Sequence, residues 1–200
     1  MAHRERATLR VGDVFLKIDA DRTRADAEVE AMAGHRSRPR RSCGASRPCS
    51  RSPPFPGTAL GRLGEPSAAS PAAWRAAGAA ARMLHGAPPP PWPGRSLDEV
   101  ASHLDGECEW LVANGVLPID AVTRNRRVAE AALRPWTPVF THGDLRVTHV
   151  FVDGDEVTGV LDWSEAGPVD ALFDLATLTL GHPEHLGDVV AGYGTASIST

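Results

Sequence analysis

Cysteine and long apolar runs are both scarce in this sequence of 200 residues. The three cysteines, Cys43, Cys49 and Cys108, show none of the paired short spacings of a zinc site or a redox pair, so we expect reduced thiols. No stretch approaches the roughly 18 to 20 apolar residues of a membrane span, and residues 1–10 lack the apolar block of a signal peptide. These absences exclude a disulfide scaffold and predict a cytoplasmic protein without a membrane partner.

Lysine is almost absent as well. Of the 21 basic residues only Lys17 is a lysine, and the others are arginines. Lys17 lies in an apolar run that predicts a strand, and an ammonium group is a compact point charge where a guanidinium is a planar fork. The single lysine therefore indicates a role that arginine cannot fill, although chance retention explains the count equally well.

The basic residues are concentrated near the start of the chain. Residues 1–52 carry 12 basic and 7 acidic side chains, whereas the net charge of the whole chain is −4. Six of these arginines fall in residues 34–54, the arginine block, which has no large aliphatic or aromatic side chain. Such a segment cannot bury a face and is predicted to be a disordered loop. A basic arm for nucleic acid is the alternative, but the interleaved aromatic residues of such arms are missing.

The hydrophobic periodicity predicts short strands towards both ends of the chain and helices between them. The predicted strands are a hairpin over Thr8–Ile18, then Val139–Thr141, Val150–Val152 and Val157–Leu161. The predicted helices run over Asp21–Ala33, from Pro71 to before Gly86, from Ser96 to about Asn114, and over Asp120–Leu133, Val169–Leu180 and Glu184–Ala191.

Two of these helices have apolar stripes that predict buried faces. The first stripe comprises Trp74, Ala77, Ala81 and Leu84, and the second comprises Val100, Leu104, Cys108, Leu111 and Val112. Histidines without a motif around them are interpreted as surface or packing residues; they are His85, His103, His182 and His185.

Two aspartates follow apolar strands at points where the chain turns. Asp144 lies in His142-Gly143-Asp144-Leu145, and Asp162 comes directly after the hairpin of Val150–Val152 and Val157–Leu161. Protein kinases arrange a catalytic-loop aspartate, a metal ligand five residues later, a hairpin and a second metal-binding aspartate in this order. Each aspartate alone is more often a turn cap. Their order and spacing together, with a sole lysine upstream, predict a kinase-like fold.

Phosphoryl transfer requires a protein mainly to position a hydroxyl group and to neutralise charge on the phosphates. Asp144 would orient the acceptor hydroxyl and accept its proton, and Asp162 would hold Mg²⁺ through oxygen. Lys17 would pair with the nucleotide phosphates. A carboxylate on the following helix has to hold that lysine, and we assign Glu28 to this role in preference to Glu30.

The motif His142-Gly143-Asp144-Leu145, with Val150-Phe151-Val152 and Val160-Leu161-Asp162-Trp163, resembles the signature of the aminoglycoside phosphotransferase family. The resemblance extends to the stretch 167–175, where Asp170 and Asp174 look like the family's structural aspartates that brace the active-site loops. It also reaches back to residues 79–85 and to the Lys17 strand.

The resemblance implies an α+β, protein-kinase-like fold with a small β-rich lobe and a larger helical lobe. We assign residues 1–54 to a partial, truncated N-lobe and residues 55–200 to a C-lobe that carries the catalytic loop and the metal-binding hairpin. It further implies ATP and Mg²⁺ as cofactors, a hydroxylated small molecule as acceptor, and O-phosphorylation as the reaction. Antibiotics are among the acceptors of the family, so a resistance role is one expectation.

The sequence departs from the family pattern at three places. His149 stands where the family usually has an asparagine that binds metal, so a metal site of His149 and Asp162 would be altered; packing at a strand start is the other interpretation. Arg146 adds a cation beside Asp144. The glycine-bearing loop over the phosphates is largely missing, and the arginine block replaces an apolar strand and hinge, which suggests a shifted reading frame.

Three functions therefore compete. The first is an ATP-dependent O-phosphotransferase acting on a hydroxylated small molecule. The second is a catalytically impaired, kinase-like binding or regulatory protein, favoured by His149 and the incomplete N-lobe. The third, a nucleic-acid adaptor built on the arginine block, has the least support.

Overall fold

The structure, a computed structural model, describes residues 6–11, 14–19, 30, 49–52, 56–89 and 92–194. Its first three strands form an antiparallel sheet in the order β1-β2-β3. They are β1 (Arg6–Val11), β2 (Val14–Asp19) and β3 (Cys49–Ser52). Lys17 lies in the central strand, opposite Thr8 on one side and Ser50 on the other. The predicted lysine hairpin is thus confirmed.

The prediction that the whole arginine block is disordered was wrong at its end, because Cys49–Ser52 is the strand β3. An edge strand is held by backbone hydrogen bonds to its neighbour and needs no large apolar side chain. The helix expected over Asp21–Ala33 is described only at Glu30, which is helical and exposed. Glu28 lies outside the described residues.

Five α-helices, two single-turn 3₁₀ helices and five strands occupy residues 56–89 and 92–194. The helices are α1 (Pro71–His85), α2 (Leu97–Ala113), α3 (Ile119–Ala132), α4 (Ala171–Leu178) and α5 (Leu186–Tyr193). The strands are β4 (Thr58–Ala59), β5 (Val139–Thr141), β6 (Val150–Asp153), β7 (Glu156–Val160) and β8 (Gly167–Val169). No helix in the described part of the chain is long and apolar enough to span a bilayer.

Helix α1 is the centre of the core. Ser70 caps its first turn, Pro71 follows, and the predicted stripe that begins with Trp74 is fully buried. Two glycines let α5 approach it at backbone distance: a Cβ on Gly78 would lie 2.1 Å from the Val189 carbonyl oxygen, and one on Gly192 would lie 1.9 Å from that of Arg75. The packing of α1 on α5 therefore depends on both glycines.

Helices α2 and α3 form a hairpin that packs mainly on itself. The capping box of Ser96 and Glu99 starts α2 as predicted, but Cys108 is the only buried member of the expected stripe and Val112 is 36% exposed. Val100, Leu104 and Leu111 are half-buried, so the predicted stripe is confirmed only in part. The main cover of α2 is α3, which contacts it over a narrow face and adds an ion pair of 2.6 Å between Arg126 and Asp105.

Two small sheets bring the candidate motif together. One has the order β4-β6-β7, and the other pairs β5 with β8 in an antiparallel register that sets Thr141 opposite Gly167. The Thr141 hydroxyl also donates to the Gly167 carbonyl, at 2.7 Å. Strand β8 was not predicted. It places the segment after Asp162 directly beside the strand that leads into Asp144.

Candidate active site

The loop that carries Asp144 turns at Gly143, where neighbouring backbone atoms leave no room for a side chain. Gly143 has φ +79°, and a Cβ there would lie 2.0 Å from the carbonyl oxygen of Glu165. Both the positive φ and the missing space require glycine. The backbone of the Asp144 loop therefore rests directly on the backbone of the segment that follows Asp162.

A buried carboxylate holds this loop from the other side. Asp174, at the start of α4, has no solvent exposure, and its two oxygens accept hydrogen bonds from the backbone N–H groups of His142 (2.7 Å) and Gly143 (2.9 Å). The predicted bracing role of Asp174 is supported by these bonds. Asp170 instead caps α4, by accepting from the N–H of Leu172 at 3.1 Å.

Asp174 also ends a hydrogen-bond chain that the sequence did not reveal. The His85 Nε2 lies 3.1 Å from Asp174 Oδ2, and the His85 Nδ1 lies 3.0 Å from the hydroxyl of Tyr193. Burial raises the pKa of Tyr193, so its hydroxyl keeps its proton. His85 is thus a buried residue whose two ring nitrogens make hydrogen bonds, and these bonds link the end of α5 to Asp174, which holds the Asp144 loop. Only the spatial proximity of α1, α4 and α5 shows this role.

His142 connects the two aspartate segments. Its ring is fully buried, its Nε2–H donates to the carbonyl oxygen of Leu161 at 2.8 Å, and its Nδ1 accepts from the N–H of Asp144 at 3.3 Å. Both nitrogens are satisfied by a neutral ring with the proton on Nε2. Burial lowers the pKa of His142, although the nearby Asp174 carboxylate opposes the shift.

This lowered pKa predicts acid sensitivity of the fold. As the pH falls through about 6.5, unfolded His142 takes up a proton that the folded ring does not, so stability falls until the lower folded pKa is reached. The slope from this residue is at most about 1.4 kcal/mol per pH unit. We expect the free energy of unfolding, measured with urea between pH 7.5 and 5.5, to fall less steeply in His142→Gln.

His103→Gln is the matched control, because His103 is an exposed side chain on α2. It should leave the pH dependence of unfolding almost unchanged. An equal slope in His142→Gln and in the wild-type chain would contradict the assigned cause.

Asp144 is half-buried and has two basic neighbours. Arg146 Nε lies 2.6 Å from Asp144 Oδ1, and His149 Nδ1 lies 3.8 Å from Asp144 Oδ2. The stronger bond of His149 is to the backbone, since its Nδ1–H donates to the Asp144 carbonyl oxygen at 2.8 Å. The expected cation beside Asp144 is therefore present, and Asp144 and His149 lie within one hydrogen-bonded loop.

Asp162 adopts a left-handed backbone conformation, with φ 64° and ψ 64°. Residues with a side chain rarely adopt it, and such strain is concentrated at functional sites. The Asp162 Oδ1 accepts a hydrogen bond from the Ser164 hydroxyl at 2.8 Å. The next residue, Trp163, is buried with its ring 4.8 Å from that of His142. The packing of Trp163 on His142 thus stabilises the strained, left-handed backbone of Asp162.

A further segment supports the Asp162 loop and was not anticipated. Trp92 Nε1–H donates to the carbonyl oxygen of Ala166 at 2.8 Å, and Arg95 forms an ion pair of 3.0 Å with Glu165. Between them, Gly94 lies against the Pro168 carbonyl, where a Cβ would come within 1.6 Å. Local sequence gives no signal for these contacts, because they join residues about 70 positions apart.

The structure brings together Asp144, His149 and the backbone that leads into Asp162, through the bond from the Leu161 N–H to the His149 carbonyl at 2.9 Å. Lys17 is placed in β2 as predicted, and its side chain is not described. Within the described ranges, no three His, Cys, Asp or Glu side chains converge as a metal site. A cation here would need oxygen ligands from a bound molecule in addition to the protein.

Known proteins resemble this chain in sequence profile and in fold. The profile described as the phosphotransferase enzyme family matches residues 6–198. No curated protein sequence is similar enough to the chain to count as a match.

Three solved structures illustrate the similarity of fold. Macrolide 2′-phosphotransferase MphH from Brachybacterium faecium is 19% identical over 98% of this chain and 74% of its own, with a TM-score of 0.66. Aminoglycoside 2′-phosphotransferase-IIIa in its GDP complex is 17% identical over 97% and 75%, with a TM-score of 0.68. Aminoglycoside phosphotransferase APH(3″)-Id from Streptomyces rimosus, with ADP and streptomycin, is 24% identical over 92% and 80%, with a TM-score of 0.61. The predicted α+β, protein-kinase-like fold is confirmed.

Proposed function

Because this chain belongs to the phosphotransferase enzyme family, we propose that it transfers the γ-phosphoryl group of ATP to a hydroxyl group of a small molecule. The observation that carries the proposal is that one residue, His142, makes hydrogen bonds to both of the segments that hold the predicted aspartates. His142 bonds to the Asp144 N–H and to the Leu161 carbonyl, so the segment of Asp144 and the segment that leads into Asp162 are held by one buried ring.

In the proposed reaction the acceptor oxygen attacks the γ-phosphorus, the bond from that phosphorus to the β,γ-bridging oxygen breaks, and ADP leaves. Asp144 accepts the proton of the attacking hydroxyl. The Arg146 guanidinium pairs with Asp144 Oδ1, so we assign the proton of the acceptor to Oδ2. General-base assistance of this kind contributes about 10²- to 10⁴-fold to a rate.

We assign Asp162 and His149 to a divalent cation, Mg²⁺ in the simplest case. The Asp162 carboxylate is an oxygen donor of the kind that Mg²⁺ takes. The bond from His149 Nδ1–H to the Asp144 carbonyl oxygen leaves the Nε2 lone pair as a second donor, a nitrogen that Mg²⁺ accepts less readily than oxygen. A bound cation would neutralise charge on the phosphates. The left-handed backbone of Asp162 and the hydrogen bond from the Ser164 hydroxyl to its Oδ1 restrict the orientation of this carboxylate.

We assign Lys17 to the nucleotide phosphates and Glu28 to the task of holding that lysine. The support for Lys17 is its place in the central strand of the first sheet, and the family membership of the chain. A strand position limits the freedom of the backbone that carries the ammonium group. Glu28 rests on the sequence pattern alone.

The acceptor is proposed by class. The structures that share the fold include enzymes whose ligands are streptomycin and spectinomycin, which are small hydroxylated molecules. A related molecule is the first acceptor to try, and a role in antibiotic resistance would follow from it. The predicted compartment is the cytoplasm, where ATP is available.

The specific observation that favours an impaired, nucleotide-binding or regulatory protein is His149, which places nitrogen where the family usually supplies an amide oxygen. The two functions differ in one measurable property. Both predict that nucleotide binds, and only the enzyme transfers phosphate.

The test is transfer of labelled phosphate from ATP to a panel of amino-sugar, aminocyclitol and macrolide acceptors. We expect incorporation with at least one acceptor, and a higher KM for ATP in Lys17→Met. ADP with Mg²⁺ at 100 times its Kd should stabilise the chain by about 2.7 kcal/mol, which raises Tm by roughly 5 to 11 °C.

Arg10→Met is the control for Lys17→Met, because it removes a positive charge from the neighbouring strand β1. It should leave the KM for ATP unchanged. Stabilisation by nucleotide without transfer to any acceptor would support the regulatory alternative. If nucleotide does not stabilise the chain and no acceptor receives phosphate, the proposed enzyme is refuted.

A further inference from the structure

Tyr193 is the only tyrosine of the chain, and its hydroxyl is bonded inside the core. It is the last residue of α5 and is 3% exposed. Among the residues that the structure describes, the hydroxyl has one hydrogen-bond partner, His85 Nδ1 at 3.0 Å. The two rings also meet edge to face, with their centroids 5.5 Å apart. Because buried polar groups are almost always paired, this bond is the one that the hydroxyl makes.

The two partners of His85 determine where its ring carries the proton. Asp174 is a carboxylate and can only accept, so the His85 Nε2, 3.1 Å from Asp174 Oδ2, is the protonated nitrogen. The Tyr193 hydroxyl keeps its own proton because burial raises its pKa, and it donates that proton to Nδ1. A neutral ring with the proton on Nε2 therefore satisfies both contacts. An imidazolium would leave the hydroxyl proton without an acceptor.

Asp174 connects the orientation of His85 to the Asp144 loop. Its Oδ2 accepts from His85 and from the backbone N–H of His142 at 2.7 Å, and its Oδ1 accepts from the N–H of Gly143 at 2.9 Å. These two backbone groups directly precede Asp144 in the sequence. Three donors thus fix a carboxylate that has no solvent exposure, and a change at the His85 ring removes one of the three.

The backbone of Tyr193 is bound to α1 independently of the hydroxyl. The Arg82 guanidinium donates to the Tyr193 carbonyl oxygen at 3.0 Å. Arg82 and His85 are three residues apart in α1, so they lie on neighbouring parts of one helix face. Loss of the hydroxyl alone therefore leaves the end of α5 attached to α1 and removes only the bond to His85.

We propose that Tyr193 is a positioning residue for the transfer reaction. Its hydroxyl holds His85 in the tautomer that donates to Asp174, and this bond keeps the Asp144 loop in position. The inference rests on the proposed function, in which Asp144 accepts the proton of the acceptor. Without the hydroxyl, Nδ1 of His85 can carry the ring proton, and a ring with its lone pair on Nε2 no longer donates to Asp174.

The test compares Tyr193→Phe with the wild-type chain. Phenylalanine keeps the ring that packs on His85 and removes only the hydroxyl. Two-bond ¹H–¹⁵N NMR spectra of the histidine rings report which nitrogen carries the proton. We expect a single Nε2–H tautomer of His85 in the wild-type chain and loss of this single state in Tyr193→Phe. We also expect kcat to fall about three- to tenfold with the KM for ATP unchanged, which is the effect of one neutral hydrogen bond.

Thr179→Val is the matched control, because Thr179 also has a buried hydroxyl, which donates to the Leu175 carbonyl oxygen at 2.9 Å at the end of α4. It should lower Tm about as much as Tyr193→Phe and leave kcat and the His85 tautomer unchanged. An equal fall of kcat in the two variants overturns the inference, because loss of any buried hydroxyl would then have the same effect. A His85 tautomer that is not Nε2–H in the wild-type chain, or is unchanged in folded Tyr193→Phe, overturns it as well.

A readout without turnover separates this inference from the proposed function. Hydrogen exchange of the His142 and Gly143 amides reports directly on the bonds to Asp174. Faster exchange of both amides in Tyr193→Phe, and not in Thr179→Val, supports the link from Tyr193 to the loop even where no acceptor is phosphorylated and the proposed function fails. Unchanged exchange in Tyr193→Phe overturns the link even where the wild-type chain transfers phosphate.

Discussion

Replacement of Asp144 by asparagine is expected to lower kcat for phosphoryl transfer by roughly 10²- to 10⁴-fold and to leave the fold intact. The amide keeps the size and polarity of the carboxylate but cannot take the proton of the acceptor hydroxyl. The structural cost is small, because Asp144 is half-buried and its ion pair is with an exposed Arg146 side chain. Measurement of kcat and KM with labelled ATP separates the loss of chemistry from a loss of binding.

Asp153→Asn is the matched control for this variant. Asp153 is the last residue of β6, next to the hairpin turn, and its side chain is exposed. Its replacement should leave kcat within about twofold, as expected for a surface change. If Asp144→Asn keeps more than about a tenth of wild-type kcat, the carboxylate is not the proton acceptor.

The second large effect is expected at Asp174, where asparagine should destabilise the chain by about 3 kcal/mol and lower kcat as well. The buried carboxylate accepts from two backbone N–H groups and faces His85. An amide of the same shape must turn its own NH₂ towards one of these donors, which leaves donors unpaired in the core. For a domain of this size the loss corresponds to a fall in Tm of roughly 6 to 12 °C.

Asp188→Asn provides the comparison, since its carboxylate is partly buried and pairs with Arg75 at 2.8 Å on the outside of α1. It should cost less than about 1 kcal/mol. Urea unfolding gives both values, and kcat measured on the folded fraction shows whether the Asp144 loop has shifted. A loss at Asp174 no larger than that at Asp188 would mean that the carboxylate does not hold the loop.

Local chemistry made much of this site predictable. Short stretches of sequence predict the helix caps at Ser70 and Ser96 and the turns around Asp144 and Asp162. The structure has these elements at the predicted positions. A motif fixes such features because residues close in sequence determine them.

Features that depend on distant neighbours could not be predicted in the same way. The role of His85 requires α4 and α5 to meet α1, and the left-handed backbone at Asp162 is stabilised by packing of Trp163 against His142. The expected stripe on α2 is only partly buried and gives the opposite error, because periodicity indicates an apolar face but not what covers it. The strand at Cys49–Ser52 depends on its neighbour β2 and not on its own side chains.

The filled space at Gly143 has a consequence for motion. With the Glu165 carbonyl where a Cβ would be, and with His142 bonded to both segments, neither segment can slide past the other without breaking the buried contacts between them. Interfaces packed this closely transmit displacement instead of absorbing it. Any motion of this part of the chain therefore carries the Asp144 and Asp162 segments together as one rigid body, and the spacing between their backbones stays constant.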